Sequence, residues 1–193
     1  MADPVLHVLA GPNGAGKSTL YTEVLWPSTR LHLVNADVIA ADRWPHDPSG
    51  HAYEGAKVAA QQRHQLIGQR RSFVTETVFS HESKVELVEY ARSVGYVVTL
   101  HVVCVPVELA VARVTNRVEY GGHDVPEDKV RSRHHRLWSH VAAAINVADH
   151  TLVYDNTRAA RPLRLLASYT FGRQVGTPDW PSWTPDDLRH AGR

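Results

Sequence analysis

A chain of 193 residues fits one domain and hardly two, and 43% hydrophobic residues let it bury a core without disulfides or a structural metal. With 21 Lys and Arg against 20 Asp and Glu, the chain lacks the basic surplus of a general nucleic-acid binder. The single cysteine, Cys104, can form no internal disulfide; it lies in an apolar run and reads as a small buried residue in a reducing compartment.

Val5 to Ala10 is a short β-rich run that ends in a glycine-rich turn. It is far too short for a signal-peptide core or a membrane span, so the expectation is a soluble, cytoplasmic protein with no membrane partner. Lys17 to Leu25 reads as a helix and Leu31 to Asn35 as a second strand. Ser49 can cap a long helix over Ala52 to Gln69. Phe73 to Glu76 is a third strand, followed by a helix from about Ser80 to Ser93 that Gly95 ends. Tyr96 to Val105 is strongly β-branched and apolar, as a strand covered on both faces should be. Pro106 opens a helix to about Glu119, and a further helix runs from about Glu127 to Ile145. Thr151 to Tyr154 is the fifth strand.

This alternation predicts an α/β fold, a parallel sheet with helices on both faces. Residues 1–157 form the expected catalytic domain, and residues 158–193 an extension packed on it. In that extension Arg164 to Val175 alternates around Gly172 like a small hairpin, and Trp180 and Trp183 sit in a Pro-rich tail.

Gly11-Pro12-Asn13-Gly14-Ala15-Gly16-Lys17-Ser18 matches the P-loop pattern in full, with a strand before it and a helix after it. The glycines let the backbone approach phosphates and turn its N–H groups inward, and the following helix adds its positive end. Lys17 is placed to reach the β- and γ-phosphates of ATP, Ser18 to hold Mg²⁺, and Thr19 to reach the α-phosphate. The motif alone does not separate a kinase from an ATPase, a GTPase or a motor.

Asp37 follows the second strand, at the sheet edge where ligands bind in open α/β folds. A kinase needs a carboxylate there to take the acceptor's proton; the competing reading is a helix cap at Asn35 or Asp37. Glu76 and Thr77 end the third strand at the same edge, suited to an acceptor hydroxyl or a water on Mg²⁺. No strand carries the apolar run ending in Asp that marks many hydrolytic ATPases, which favours a small kinase.

Arg113 and Arg117 are one turn apart on one helical face, and Gly121 to Pro126 gives a loop before the next helix. On that helix Arg131 and Arg133 flank the apolar stripe on opposite sides, while Arg136 points away. Such arginines suit a lid that neutralises charge on a transferring phosphoryl group; the alternative is a solvated basic face. The adjacent pair His134-His135 diverges by about 100° and does not make a metal site.

The ordered set of P-loop, Val34-Asn35-Ala36-Asp37, Thr75-Glu76-Thr77, the segment from Arg117 to Pro126, Arg131 to Arg133 and Tyr154-Asp155-Asn156-Thr157 resembles the compact branch of the zeta toxin family. That resemblance implies five parallel strands in the order 2-3-1-4-5 and transfer of the γ-phosphoryl group of ATP to a small molecule. Family members phosphorylate UDP-N-acetylglucosamine and are restrained by a small antitoxin protein. It also implies Asp37 as base, Lys17 and Ser18 as loop lysine and Mg²⁺ ligand, Glu76 and Thr77 at the acceptor, and Arg117 in the lid. Where larger toxins carry a second lid-loop arginine this chain has Gly121-Gly122-His123, which leaves Arg131 or Arg133 for that role. Two other readings stand beside it: a kinase acting on nucleic-acid ends, motivated by Arg131, Arg133 and Arg136, and a non-catalytic ATP-gated binding module that uses Trp180 and Trp183.

Overall fold

The computed structural model describes residues 3–119 and 125–192. Its centre is one sheet. Strands β1 (Val5–Ala10), β2 (Leu33–Val34), β3 (Phe73–Thr77), β4 (Val97–Cys104) and β5 (His150–Asp155) are parallel and lie in the order β2-β3-β1-β4-β5. Strands β6 (Arg164–Thr170) and β7 (Arg173–Val175) continue the sheet antiparallel from β5. The expected parallel order therefore holds, and the strand count rises from five to seven. The hairpin turns at Phe171 and Gly172, whose φ values of 50° and 73° match the two-residue turns that join twisted strands. That a hairpin closes here is a local property; that it docks on β5 is not.

The helices are α1 (Lys17–Leu20), α2 (Trp26–Thr29), α3 (Ala36–Arg43), α4 (Ala52–Gly68), α5 (Ser83–Ser93), α6 (Val107–Glu119), α7 (Glu127–Val147) and α8 (Asp186–Arg189). Tyr21–Leu25 between α1 and α2 is a π turn instead of a continuation of the expected α-helix. Pro27 stands just beyond it and has no N–H to donate, so the ladder cannot run through unbroken.

Period-two alternation sorts the core onto the two sheet faces. Leu6, Val8 and Ala10 of β1 pack with Phe73, α5 and α7 on one side, while Leu9 packs with Val74, Leu20 and Val114 on the other. β4 is buried almost throughout, with Val98, Leu100, Val102, Val103 and Cys104 all inaccessible. Burying one such leucine contributes about 1.5–3 kcal/mol. Trp180 and Trp183 pack against this core, and Leu188 of α8 is fully buried. Arg189 fixes the tail by donating to the carbonyls of Pro181, Ser182 and Thr184. The tryptophans considered above for a partner surface are thus partly buried against the protein's own core. No helix among the described residues is long and apolar enough to cross a membrane.

Because the first five strands are parallel, their C-terminal ends share one edge. The P-loop, the start of α3, the end of β3 and Asn156 after β5 all meet there.

Candidate active site

The glycine pattern of the loop is enforced by what surrounds it. Gly16 caps α1 with φ 97° and ψ 27°, a conformation that disfavours a side chain, and a Cβ there would overlap Asn156 Nδ2. A Cβ on Gly14 would lie 2.7 Å from the Ala110 carbonyl oxygen. The loop backbone is therefore pressed between α6 and the end of β5. Asn156 Nδ2 donates to the Ala15 carbonyl at 2.8 Å, and Arg113 donates to the Asn156 carbonyl at 2.9 Å and the Gly14 carbonyl at 3.4 Å. Asn156 is buried, so its amide is committed to holding the loop's shape.

Lys17 is only 6% exposed. Its Nζ donates to the carbonyls of Gly11 and Pro12 at 3.0 and 2.9 Å and lies 3.7 Å from Glu76 Oε1. Burial pushes its pKa down; Glu76 and Asp37 oppose that, and Arg117 adds to it. The four groups therefore share one field.

Glu76 is the hub of the edge. Its Oε2 accepts from Ser18 Oγ at 3.1 Å and from Asn35 Nδ2 at 3.0 Å. A serine hydroxyl beside a carboxylate is a set of hard oxygen donors, which fits Mg²⁺ held jointly with nucleotide phosphates and water. The glycines let the loop pack against Val103, Ala110 and Asn156, where a Cβ would clash, and that close-packed loop shape suits phosphates.

Of Asn35 and Asp37, it is Asn35 that caps the helix. Asn35 Oδ1 caps α3 by accepting from the Asp37 and Val38 N–H groups at 2.8 and 3.4 Å. Asp37 is left in the first turn of α3, exposed and lining the cleft. Thr77 also lines it, and its Oγ1 accepts from Phe79 N at 3.2 Å.

The cleft between this edge and helices α6 and α7 has a volume of about 880 Å³. Arg113, Arg117, Lys129 and Arg133 reach it from those two helices. Lys129 and Arg133 are one turn apart and share a face. Arg131 is about 200° from Lys129 around the helix and faces elsewhere. It pairs with Glu108 at 2.7 Å and with Glu127 at 2.8 Å, and it is not among the cleft residues. The expectation that Arg131 and Arg133 both reach the cleft is corrected to Arg133 alone. Gly121, Gly122 and His123 lie outside the described residues.

Other residues of the cleft were not singled out by sequence reasoning. Lys129 is one, whereas Arg113 is named above with Arg117 on one helical face and Asn156 within the segment Tyr154 to Thr157. Arg63 of α4 and Lys84 of α5 are two more. Arg63 continues the buried stripe Gly55, Ala59, Ile67 at four-residue spacing, which is a legible anomaly for a charged residue. His134 has no site role: its Nε2 faces the Val105 carbonyl at 3.0 Å, and its Nδ1 accepts from Trp138 Nε1 at 3.4 Å. That pairing requires a neutral ring, and burial lowers its pKa accordingly.

The family model for an AAA domain, AAA_33, matches residues 6–140. An uncharacterized protein of Haemophilus influenzae is 31% identical over 126 residues, covering 64% of this chain and 88% of that protein. Among solved structures, the PezAT chromosomal toxin–antitoxin system of Streptococcus pneumoniae aligns with TM-score 0.62 at 14% identity, over 82% of this chain and 71% of that one. The AvrRxo1-ORF1:-ORF2 complex with ATP aligns with TM-score 0.72 at 19% identity, over 96% of this chain and 67% of that one. Shikimate kinase from Acinetobacter baumannii, in complex with shikimate, aligns with TM-score 0.54 at 17% identity, over 81% and 86%. The fold is thus that of P-loop kinases, in line with the zeta-toxin resemblance, and the chain belongs to the AAA_33 family of AAA domains.

Proposed function

We propose that this protein is an ATP-dependent kinase that transfers the γ-phosphoryl group to a hydroxyl of a small molecule, with a zeta-toxin-like sugar nucleotide such as UDP-N-acetylglucosamine as the leading acceptor. The observation that carries the reading is one cleft in which a P-loop lysine, a serine–glutamate pair and an exposed carboxylate, Asp37, face cations from two helices. Residues 1–157 carry the chemistry in this reading, and 158–193 brace it.

Each residue has a task. The P-loop amides and Lys17 bind the β- and γ-phosphates. Ser18 and Glu76 would hold Mg²⁺, which would supply charge neutralisation on the phosphate oxygens. Asp37 accepts the proton of the acceptor hydroxyl as its oxygen bonds to the γ-phosphorus. The bond from that phosphorus to the bridging oxygen breaks, leaving ADP and a phosphomonoester. Arg117 and Arg133 neutralise charge on the transferring group and exclude water as the lid closes. Asn35 fixes both Glu76 and the turn that carries Asp37.

An antitoxin-like protein partner and a cytoplasmic location belong to the same reading. The structural relatives from toxin–antitoxin and ORF1:-ORF2 complexes support the first; the buried, unpaired Cys104 supports the second. The test is an acceptor screen. Protein, Mg²⁺ and ATP are mixed with sugar nucleotides, sugar phosphates, neutral sugars and a short oligonucleotide, and mass spectrometry looks for one added phosphoryl group. A product from the small molecules that disappears with Lys17→Ala is the expected result. A product from the oligonucleotide alone moves the protein to nucleic-acid ends, and no product at all leaves the binding module.

A further inference from the structure

Beyond the P-loop and the lid, the cleft holds a second cationic region. Among the described residues seven cationic side chains line it against two carboxylates, in a chain whose net charge is only +1. Five of the seven cluster on the P-loop and the α6–α7 side, where nucleotide phosphates account for them. The two carboxylates, Asp37 and Glu76, stand at the strand edge, and Glu76 is already engaged by Lys17, Ser18 and Asn35. That leaves Arg63 and Lys84.

Arg63 is 8% exposed and lies on the stripe by which α4 packs inward. Gly55 on that stripe is pressed so close to α3 that a Cβ would sit 2.7 Å from the Ala36 carbonyl oxygen, which draws α4 and its arginine toward the edge. Among the described residues Arg63 makes no hydrogen bond and no ion pair. Buried guanidinium groups are ordinarily paired, because an unpaired one loses hydration without compensation. Lys84 is close enough for the two positive charges to repel, and burial and that repulsion both lower its pKa. Among the described residues its Nζ hydrogen-bonds only to Ser83 Oγ, at 3.3 Å, and the opposing charge that acts on it is the exposed Glu86 on its own helix. Two like charges converging from different helices, unpaired and facing a cleft, have no structural benefit to offset their cost.

We propose that Arg63 and Lys84 form an acceptor subsite for an anionic group, so that the molecule phosphorylated at its hydroxyl beside Asp37 also carries a phosphate or carboxylate. Ser80 and Thr77 line the wall near them and suit the polar body of such a molecule. The inference rests on the kinase reading for the word acceptor, but the anion site stands or falls by itself.

The experiment uses the full chain saturated with Mg²⁺ and a non-hydrolysable ATP analogue, which occupies the P-loop. Inorganic phosphate and, separately, malonate are then titrated calorimetrically into wild type, Arg63→Gln, Arg63→Lys and Lys84→Gln. The proposal expects one of the two anions to bind wild type. It expects Arg63→Gln or Lys84→Gln to weaken that binding at least about tenfold, Arg63→Lys to weaken it less than about threefold, and the analogue's affinity to stay within about twofold. Stronger binding of phosphate assigns a phosphorylated acceptor, and of malonate a carboxylated one. Neither anion binding wild type, or equal binding in both Gln variants, overturns the subsite. Failure of the analogue to bind wild type defeats the nucleotide reading instead, and the Gln variants still decide the anion site. Folding is checked with Arg63→Met, whose melting temperature should equal or exceed wild type; a marked fall would make Arg63 a structural residue and contradict the proposal.

Discussion

The imidazole of His101 shows how much a single buried residue can reveal about acid sensitivity. It lies on β4 with its Nε2 3.0 Å from His7 Nδ1 on β1, and Tyr154 stacks on its other side with the hydroxyl 3.5 Å from Nδ1. One ring must accept from the other, so the two cannot both be imidazolium. Burial, and secondly the charge of His7, push the His101 pKa down to about 3. In the unfolded chain a histidine takes up its proton at about pH 6.5. The unfolded state therefore binds more protons below that point, and stability that is full above pH 6.5 is lost as pH falls toward 3. Replacing His101 with Leu should flatten the fall in melting temperature between pH 7 and pH 4.5 relative to wild type. Parallel pH curves for the two proteins would show that other groups set the acid sensitivity. Nothing in the apolar run Tyr96 to Val105 announced this pair; that needed the register that sets β4 against β1.

Each element around the cleft positions a side chain through contacts that its own sequence only partly states. The P-loop is held by the residue after β5, which is 141 positions away from Ala15. Asn156→Ala removes the amide from a buried carbonyl, a change that costs about 1–3 kcal/mol. Part of that cost falls on the loop, so nucleotide affinity should weaken about tenfold while the fold persists, as titration with a fluorescent ATP analogue would measure. An unchanged affinity would show that α6 alone keeps the loop in shape. The lid helix gives the complementary case. Its periodicity separates Arg131 from Arg133, but only the tertiary structure shows that Glu108 lies across from one and the cleft across from the other. Arg131→Ala should alter the transfer rate by less than about twofold, since exposed pairs contribute little. Arg133→Ala should lower it by about 10- to 100-fold, as expected for loss of a charge that stabilises the transferring group. Equal effects in steady-state assays would contradict the assignment of faces.

At the scale of the whole molecule, the features legible in the sequence are those written locally. A full P-loop between a strand and a helix, β-rich runs separated by helices, and Asp37 just past a strand end are enough to anticipate a parallel sheet and the edge where the candidate site lies; the strand order comes from the zeta-toxin resemblance. The docking of β6 on β5 and the meeting of Arg63 with Lys84 depend on distant surfaces, and no window of sequence contains them. The same convergence makes Asp37 the most exposed part of the functional account, because a helix-start aspartate needs no catalytic reason to exist. The most direct measurement is therefore the transfer rate and the ATP affinity of Asp37→Asn, side by side with wild type, using the best acceptor of the panel. The kinase account predicts a rate lower by about 10²–10⁴ with ATP affinity within about twofold. An unchanged rate would remove Asp37 as the base and with it the mechanism proposed for this cleft.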